Sequence, residues 1–281
     1  MATLSVIRAE HAGACYGVQR ALDMTLKASA ESGSVCTLGP LIHNPRVVAE
    51  LEGQGIHVAN SVDAIDADEV VIRSHGVVPQ VITEIKDRGF TVVDATCPHV
   101  MRAQRAAAKL ASDGRHVLVV GEAGHPEVEG ISAHALVAGG ECTIVGAAED
   151  IPANLPCRIG IVVQTTQSEA KLSEVLSALE RRGLDIEVKN TICSATTQRQ
   201  KSAIALAQQV DAMVVIGGRN SSNTTRLYEI CSQYCASTYH IEGAEEIDPA
   251  WFSDAKTVGV TAGASTPDNQ IESVVAFLNQ L

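Results

Sequence analysis

Cys15, Cys97 and Cys193 lie far apart in the chain, yet each stands where a strand-like pattern passes into a helical one. A zinc ribbon sets its cysteines two to four residues apart, so this spacing is of another kind. At such a junction a thiol faces the unpaired amides and the positive end of a helix dipole. Both favour the thiolate, the form that ligates metals. Cysteine is among the most buried residue types, and any one of the three alone would be read as a core residue. Three in one repeated setting point to a shared ligand.

Polar clusters follow other apolar runs. Gly39-Pro40-Leu41-Ile42-His43-Asn44-Pro45 and Arg73-Ser74-His75-Gly76 each bring a histidine beside turn-forming residues, as donors aimed at an anion would be placed. In Gly124-His125-Pro126-Glu127-Val128-Glu129-Gly130 a proline fixes the backbone between an imidazole and a carboxylate. That loop either holds the pair close for proton transfer or is an ordinary surface loop. Gln164-Thr165-Thr166-Gln167-Ser168, Gly217-Gly218-Arg219-Asn220-Ser221-Ser222-Asn223 and Thr261-Ala262-Gly263-Ala264-Ser265-Thr266 all precede helices. Capping explains one hydroxyl in each run. The rest suit an anion such as phosphate held by neutral donors at helix starts.

The elements that must position these residues are legible from periodicity. Strand patterns at Val70-Val71-Ile72, Thr91-Val92-Val93, Val117-Leu118-Val119-Val120, Ile159-Gly160-Ile161-Val162-Val163, Ala212-Met213-Val214-Val215-Ile216 and Val258-Gly259-Val260 alternate with helical ones. Pro98 starts the helix after Cys97, Ser168 caps one that Gly183 ends, and Thr266-Pro267-Asp268 opens the last. Apolar strands alternating with helices predict an α/β fold of parallel sheets with crossover helices. The cysteines suggest a partition into domains of residues 1–96, 97–192 and 193–281, each delivering one thiol beyond the carboxyl ends of its strands. Cys36, Cys142 and Cys157 lie in or beside strand patterns. Cys231 and Cys235, spaced i, i+4 on one helical pattern, are either a metal pair or core residues.

Composition narrows the classes. Of 281 residues, 46% are hydrophobic and only 3% aromatic, so the cores are built from Val, Ile, Leu and Ala. A formal charge of −12 leaves no basic stripe for nucleic acid. The sequence has no run long and apolar enough to cross a bilayer and no leader pattern, so a cytoplasmic protein is expected, with no membrane partner. In a reducing compartment its cysteines are read as core residues or metal ligands, not as a disulfide scaffold.

Ala14-Cys15-Tyr16-Gly17-Val18, Ile42-His43-Asn44, Ser74-His75-Gly76-Val77, Asp94-Ala95-Thr96-Cys97-Pro98, the loop Gly124–Gly130, Gln164-Thr165-Thr166, Ile192-Cys193-Ser194-Ala195-Thr196-Thr197, Asn220-Ser221-Ser222-Asn223 and Thr261–Ser265 together resemble the LytB family of 4-hydroxy-3-methylbut-2-enyl diphosphate reductases. The likeness runs nearly end to end with the motifs in family order. It departs at Ala14, where the family usually has an aromatic residue, with Tyr16 just after the cysteine instead.

The resemblance implies a pseudo-threefold trefoil of three α/β domains around one 4Fe-4S cluster held by Cys15, Cys97 and Cys193. It implies that His43, His75, His125, Ser221, Asn223 and Ser265 hold the substrate diphosphate, with Ser222 beside them. Glu127 and Thr165 would lie at the substrate hydroxyl, with Thr166 as a neighbour and His125 as a further proton source. Three thiolates on four irons leave one iron open to act as a Lewis acid, unlike a four-thiolate electron carrier. The implied reaction is reductive removal of an allylic hydroxyl as water, giving isopentenyl and dimethylallyl diphosphate, the last step of the methylerythritol phosphate route. Electrons would come from an external protein of ferredoxin or flavodoxin type. Two rivals stand beside this reading: a non-catalytic iron-sulfur redox sensor, and a structural zinc site of three cysteines and a histidine. The sensor gives the polar runs and the His125/Glu127 loop no task, and zinc would give a colourless protein where a cluster gives a brown one.

Overall fold

Val70, Val71 and Ile72 are fully buried, as are Val117 to Val120 and Met213 to Ile216. A strand apolar on both faces must be covered on both, and crossover helices are the economical cover. The computed structural model describes residues 4–281. In chain order they form β1 (Ser5–Arg8), α1 (Tyr16–Ser32), β2 (Val35–Leu38), α2 (Pro45–Gly53), β3 (His57–Ala59), β4 (Glu69–Ile72), α3 (Pro79–Asp87), β5 (Thr91–Asp94), α4 (Pro98–Ser112), β6 (His116–Val120), α5 (Pro126–Val137), β7 (Cys142–Val145), β8 (Arg158–Val163), α6 (Glu169–Glu180), β9 (Asp185–Lys189), α7 (Ser194–Ala207), β10 (Ala212–Ile216), α8 (Ser222–Ser232), β11 (Thr238–Ile241), β12 (Thr257–Ala262) and α9 (Asp268–Leu278). Short 3-10 turns follow β3, β7 and β11.

The strands make three four-stranded sheets, in the orders β3-β2-β4-β5, β7-β6-β8-β9 and β11-β10-β12-β1, and every pairing is parallel. The architecture is therefore three small α/β domains. One order serves all three: the second strand in sequence flanks the first, the third lies on the first's other side, and the fourth takes the edge. In the third sheet that edge place is filled by β1, from the other end of the chain.

The partition at 1–96, 97–192 and 193–281 departs from the sheets at this strand. β1 has only four residues, mostly exposed, and it pairs with β12 from Ser5↔Thr257 to Arg8↔Val260 instead of joining β2 to β5. Its ladder continues past the strand, where the Ala9 and Gly13 amides donate to the carbonyls of Val260 and Ala262. β12 would otherwise present an open edge of unpaired backbone groups. The chain accordingly divides into two compact units. One comprises residues 4–18, 43–46 and 194–281; the other comprises Gln19–Ile42 and Val47–Cys193, with both remaining sheets.

Two local expectations shift. The Ser168 hydroxyl caps α6 by accepting from the Lys171 amide, but the helix ends at Glu180, ahead of Gly183. α8 stops at Ser232, so Cys235 lies in the turn beyond it, buried in a core with Leu227, Cys231 and Met213. Cys231 and Cys235 are thus core residues. No helix among the described residues is long and apolar enough to cross a membrane.

Gly217, directly after β10, has φ +143°, and a Cβ there would lie 2.7 Å from the hydroxyls of both Thr224 and Thr266. Gly217→Ala should therefore lower stability by about 1–3 kcal/mol. A fall in the urea midpoint at unchanged slope is the expected reading.

Candidate functional site

The three sheets present the same polar geometry at their carboxyl ends. Beyond the edge strands β1, β5 and β9 come Cys15, Cys97 and Cys193, each immediately before a helix, α1, α4 and α7. The amide of each cysteine donates to a carbonyl just past the neighbouring strand: Cys15 to Ala264 at 3.0 Å, Cys97 to Ser74 at 2.9 Å, and Cys193 to Thr165 at 3.0 Å. Beyond the third strand in from the edge, Gly39, Gly121 and Gly217 donate their amides to Ala59, Val145 and Ile241. Four residues past each glycine stands a polar group at a helix start: His43, His125 and Ser221.

In the unit built on the β1–β12 sheet, Ser221 is the N-cap of α8, with Ser222 at its first position, half-buried. Asn223 is 3% exposed, and its Oδ1 accepts the Ala264 amide at 2.9 Å. That contact leaves Asn223 Nδ2 buried with no protein partner, a donor in want of an acceptor. Ser265 Oγ donates to the His43 carbonyl at 2.9 Å, and Asn44 Nδ2 donates to the Ser265 carbonyl at 2.8 Å. The turn at Gly218 packs onto the same His43 carbonyl, where a Cβ would come within 2.8 Å. His43, Ser221, Ser222, Asn223 and Ser265 are thus gathered on one unit.

In the other unit, His75 and His125 meet edge to face, with ring centroids 5.6 Å apart. His125 caps α5: its Nδ1 accepts the Glu127 amide at 3.1 Å, an arrangement that Pro126 favours by fixing the first helical residue. The imidazole therefore engages the Glu127 backbone, and the carboxylate turns elsewhere. Glu127 is 1% exposed; its Oε1 accepts the Thr165 amide at 2.6 Å and its Oε2 accepts the Thr165 hydroxyl at 2.9 Å. Burial pushes the carboxyl up to about 7, against the opposing pull of the two Thr165 bonds. Burial, followed by the nearby positive charge of Arg73, pushes His125 down to about 4. A protonated carboxylic acid and a neutral imidazole then coexist near neutrality, the separation of acid and base that proton-transfer sites need. Thr166 is half-buried next to this pair.

The three junction cysteines are half-buried. α1, α4 and α7 carry no acidic residue in their first turns. Cys36 and Cys231 are fully buried, and burial pushes them up to about 11 and about 12, keeping them as inert thiols. Cys15 lies in one compact unit and Cys97 and Cys193 in the other. Among the described residues no group of three or more His, Cys, Asp or Glu is assembled tightly enough to hold a metal ion. The chemistry of the donor set nonetheless suits a thiolate-bound iron-sulfur group: three accessible soft donors at helix starts, each with its backbone fixed.

Two polar residues were given no role by the reading of motifs. Arg73 is half-buried, with Nε donating to the Gly76 carbonyl at 3.3 Å and its guanidinium against Gly39. Gln104 on α4 is buried against Gly76 and Gly130, where the first two sheets' turns meet. A signal was available in the repeat itself: a glycine followed four residues on by His43, His125 or Ser221.

The sequence matches the family described as LytB protein over residues 6–279. A protein of Pelobacter propionicus called 4-hydroxy-3-methylbut-2-enyl diphosphate reductase is 46% identical over 280 residues, 99% of each chain. One of the same name from Geobacter sulfurreducens is 47% identical over 279 residues, 99% of this chain and 98% of its own. Among solved structures, an (E)-4-hydroxy-3-methyl-but-2-enyl diphosphate reductase, described as the terminal enzyme of the non-mevalonate pathway, shares 42% identity with a TM-score of 0.72 and covers 99% of this chain and 100% of its own. The E-1-hydroxy-2-methyl-but-2-enyl-4-diphosphate reductase of Plasmodium falciparum, 23% identical, has the same fold, with a TM-score of 0.91 over 98% of this chain and 87% of its own. With three repeated sheets, their shared polar geometry and this end-to-end similarity, the chain belongs to the LytB family.

Proposed function

We propose that this chain is a 4-hydroxy-3-methylbut-2-enyl diphosphate reductase. It takes (E)-4-hydroxy-3-methylbut-2-enyl diphosphate, two electrons and two protons, and it releases water with isopentenyl or dimethylallyl diphosphate. The carbon–oxygen bond to the allylic hydroxyl breaks, the oxygen leaves with a proton, and the other proton ends on one of two allyl carbons. This is the last step of the methylerythritol phosphate route. The observation that carries the reading is Glu127, a buried carboxyl gripped at both oxygens by Thr165 and pushed up by burial to about 7, so that it can both hold and give up a proton near neutral pH.

Cys15, Cys97 and Cys193 would hold a 4Fe-4S cluster. When bound, that cluster supplies electrons and a Lewis-acidic iron free of protein ligands. An external protein of ferredoxin or flavodoxin type would deliver the electrons singly. Asn223, with its unspent buried Nδ2, Ser221, Ser222, Ser265, His43, His75 and His125 would bind the diphosphate, as the likeness to the family implies. Neutral donors suit an anion site in so acidic a chain, because their dipoles are oriented before the ligand arrives. Glu127 would deliver the proton at the hydroxyl. Thr165 would orient that carboxyl and, with Thr166, line the same end. A non-catalytic redox sensor gives this carboxyl no purpose.

Replacing Glu127 by Gln keeps the shape and removes the acidic proton. Turnover with an artificial one-electron donor should fall by about 10²–10⁴-fold, with iron content unchanged. Near-normal turnover would remove Glu127 from proton delivery.

The same group makes stability depend on pH. Its carboxyl rises from an ordinary 4.5 to about 7 on folding, so the folded chain binds more protons than the unfolded one between those values. Stability should therefore decline as pH rises from about 4.5 through 7, and Glu127→Gln should flatten that slope in urea titrations of iron-free protein.

Two further variants divide the roles. Cys97→Ser should deplete iron and the brown colour of anaerobically purified protein, whereas Cys231→Ser should retain both. Asn223→Ala should weaken inorganic diphosphate binding about tenfold without loss of iron, as expected for one lost hydrogen bond to a charged group.

A further inference from the structure

Each helix that begins after a junction cysteine carries an arginine five or six residues beyond it: Arg20 on α1, Arg102 on α4 and Arg199 on α7. Their guanidinium groups reach the turns that deliver a different cysteine. Arg20 Nη1 donates to the carbonyl of Thr96, the residue before Cys97, at 3.1 Å. Arg102 Nη2 donates to the carbonyls of Thr191 and Ile192, the two residues before Cys193, at 3.5 and 3.4 Å. Arg199 Nη2 donates to the carbonyl of Gly13, two residues before Cys15, at 2.7 Å, while its Nη1 steadies the Ala195 carbonyl at 3.1 Å. The pattern is cyclic in sequence order. The first cysteine's helix serves the second cysteine's turn, the second serves the third, and the third serves the first.

A carbonyl in a turn between strand and helix lies outside both ladders and needs a donor from elsewhere. A guanidinium supplies a charge-assisted bond from a planar fork, stronger and better directed than a neutral donor or a flexible ammonium. α4 and α7 contain no acidic residue at all, in a chain with 33 of them, so nothing on those helices competes for the arginines.

We propose that Arg20, Arg102 and Arg199 are positioning residues that lock each cysteine turn to the helix begun by the preceding cysteine. The purpose of that linkage rests on the reading that the three thiolates share one cluster; the linkage itself can be measured without it.

The test is hydrogen–deuterium exchange, resolved by peptide, on iron-free protein carrying Arg20→Met or Arg102→Met, which keep the apolar stem and remove the fork. Arg199 is 5% exposed, so Arg199→Lys is the variant for that position. Arg20→Met should raise exchange about tenfold at residues 96–98, Arg102→Met at 192–194, and Arg199→Lys, by less, at 13–15. The turn around the cysteine that starts the mutated helix should not move. Arg105→Met, an exposed arginine on α4, should leave all three turns unchanged. In iron-loaded protein, Arg20→Met and Arg102→Met should release iron to a chelator about tenfold faster, with the Lys variants between. Exchange that rises only in the mutated helix, rises uniformly, or does not rise would overturn the proposal. Should the exchange pattern hold while Cys97→Ser keeps full iron, the linkage would stand and the shared-cluster reading would fall.

Discussion

The bond from each junction cysteine's amide to a carbonyl beyond the neighbouring strand is the constraint on which the other features depend. Cys15 to Ala264, Cys97 to Ser74 and Cys193 to Thr165 each fasten a thiol-bearing turn to the polar run after the next strand of its sheet. One bond thus sets two things, the place of a thiol and the place of the hydroxyls and imidazoles beside it. Parallel pairing makes this possible, because all strands of a sheet end at the same side and their following turns are neighbours. An antiparallel arrangement would send alternate turns to opposite ends.

The edge strands bear the cysteines for a related reason. β1, β5 and β9 are the most exposed strands of their sheets, whereas β8, β10 and β12 are buried almost throughout. A turn leaving an edge strand has room for a half-buried thiol. A turn leaving a central strand is flanked on both sides, which suits short, buried donors such as Asn223, Thr165 and Ser265. The division of labour between thiols and neutral donors follows from position in the sheet.

Glu127 shows how one fold obtains an acid at neutral pH. The start of α5 would ordinarily favour its ionised form, through the dipole and free amides. Burial opposes this and prevails, so the carboxyl remains protonated up to about 7 even while Thr165 donates two hydrogen bonds to it. His125 is moved the other way by the same burial, helped by Arg73. Desolvation acts on both groups with opposite sign because it disfavours charge, whichever charge that is.

Much of this was legible in the residues alone. Period and capping placed the buried strands, the helix starts at Pro98, Ser168 and Asp268, and the repeated setting of the three cysteines, because such signals are local and survive without knowledge of neighbours. The motif likeness named the family from short runs, each held in one turn. What only the tertiary structure decided are pairings between distant residues. β1 lies against β12, Thr165 rather than His125 grips the Glu127 carboxyl across 38 residues, and Arg199 reaches back 186 residues to Gly13. Periodicity reports which face of an element is buried but not which sheet buries it. A directional hydrogen bond depends on where two backbones meet, and no spacing along one chain segment encodes that meeting.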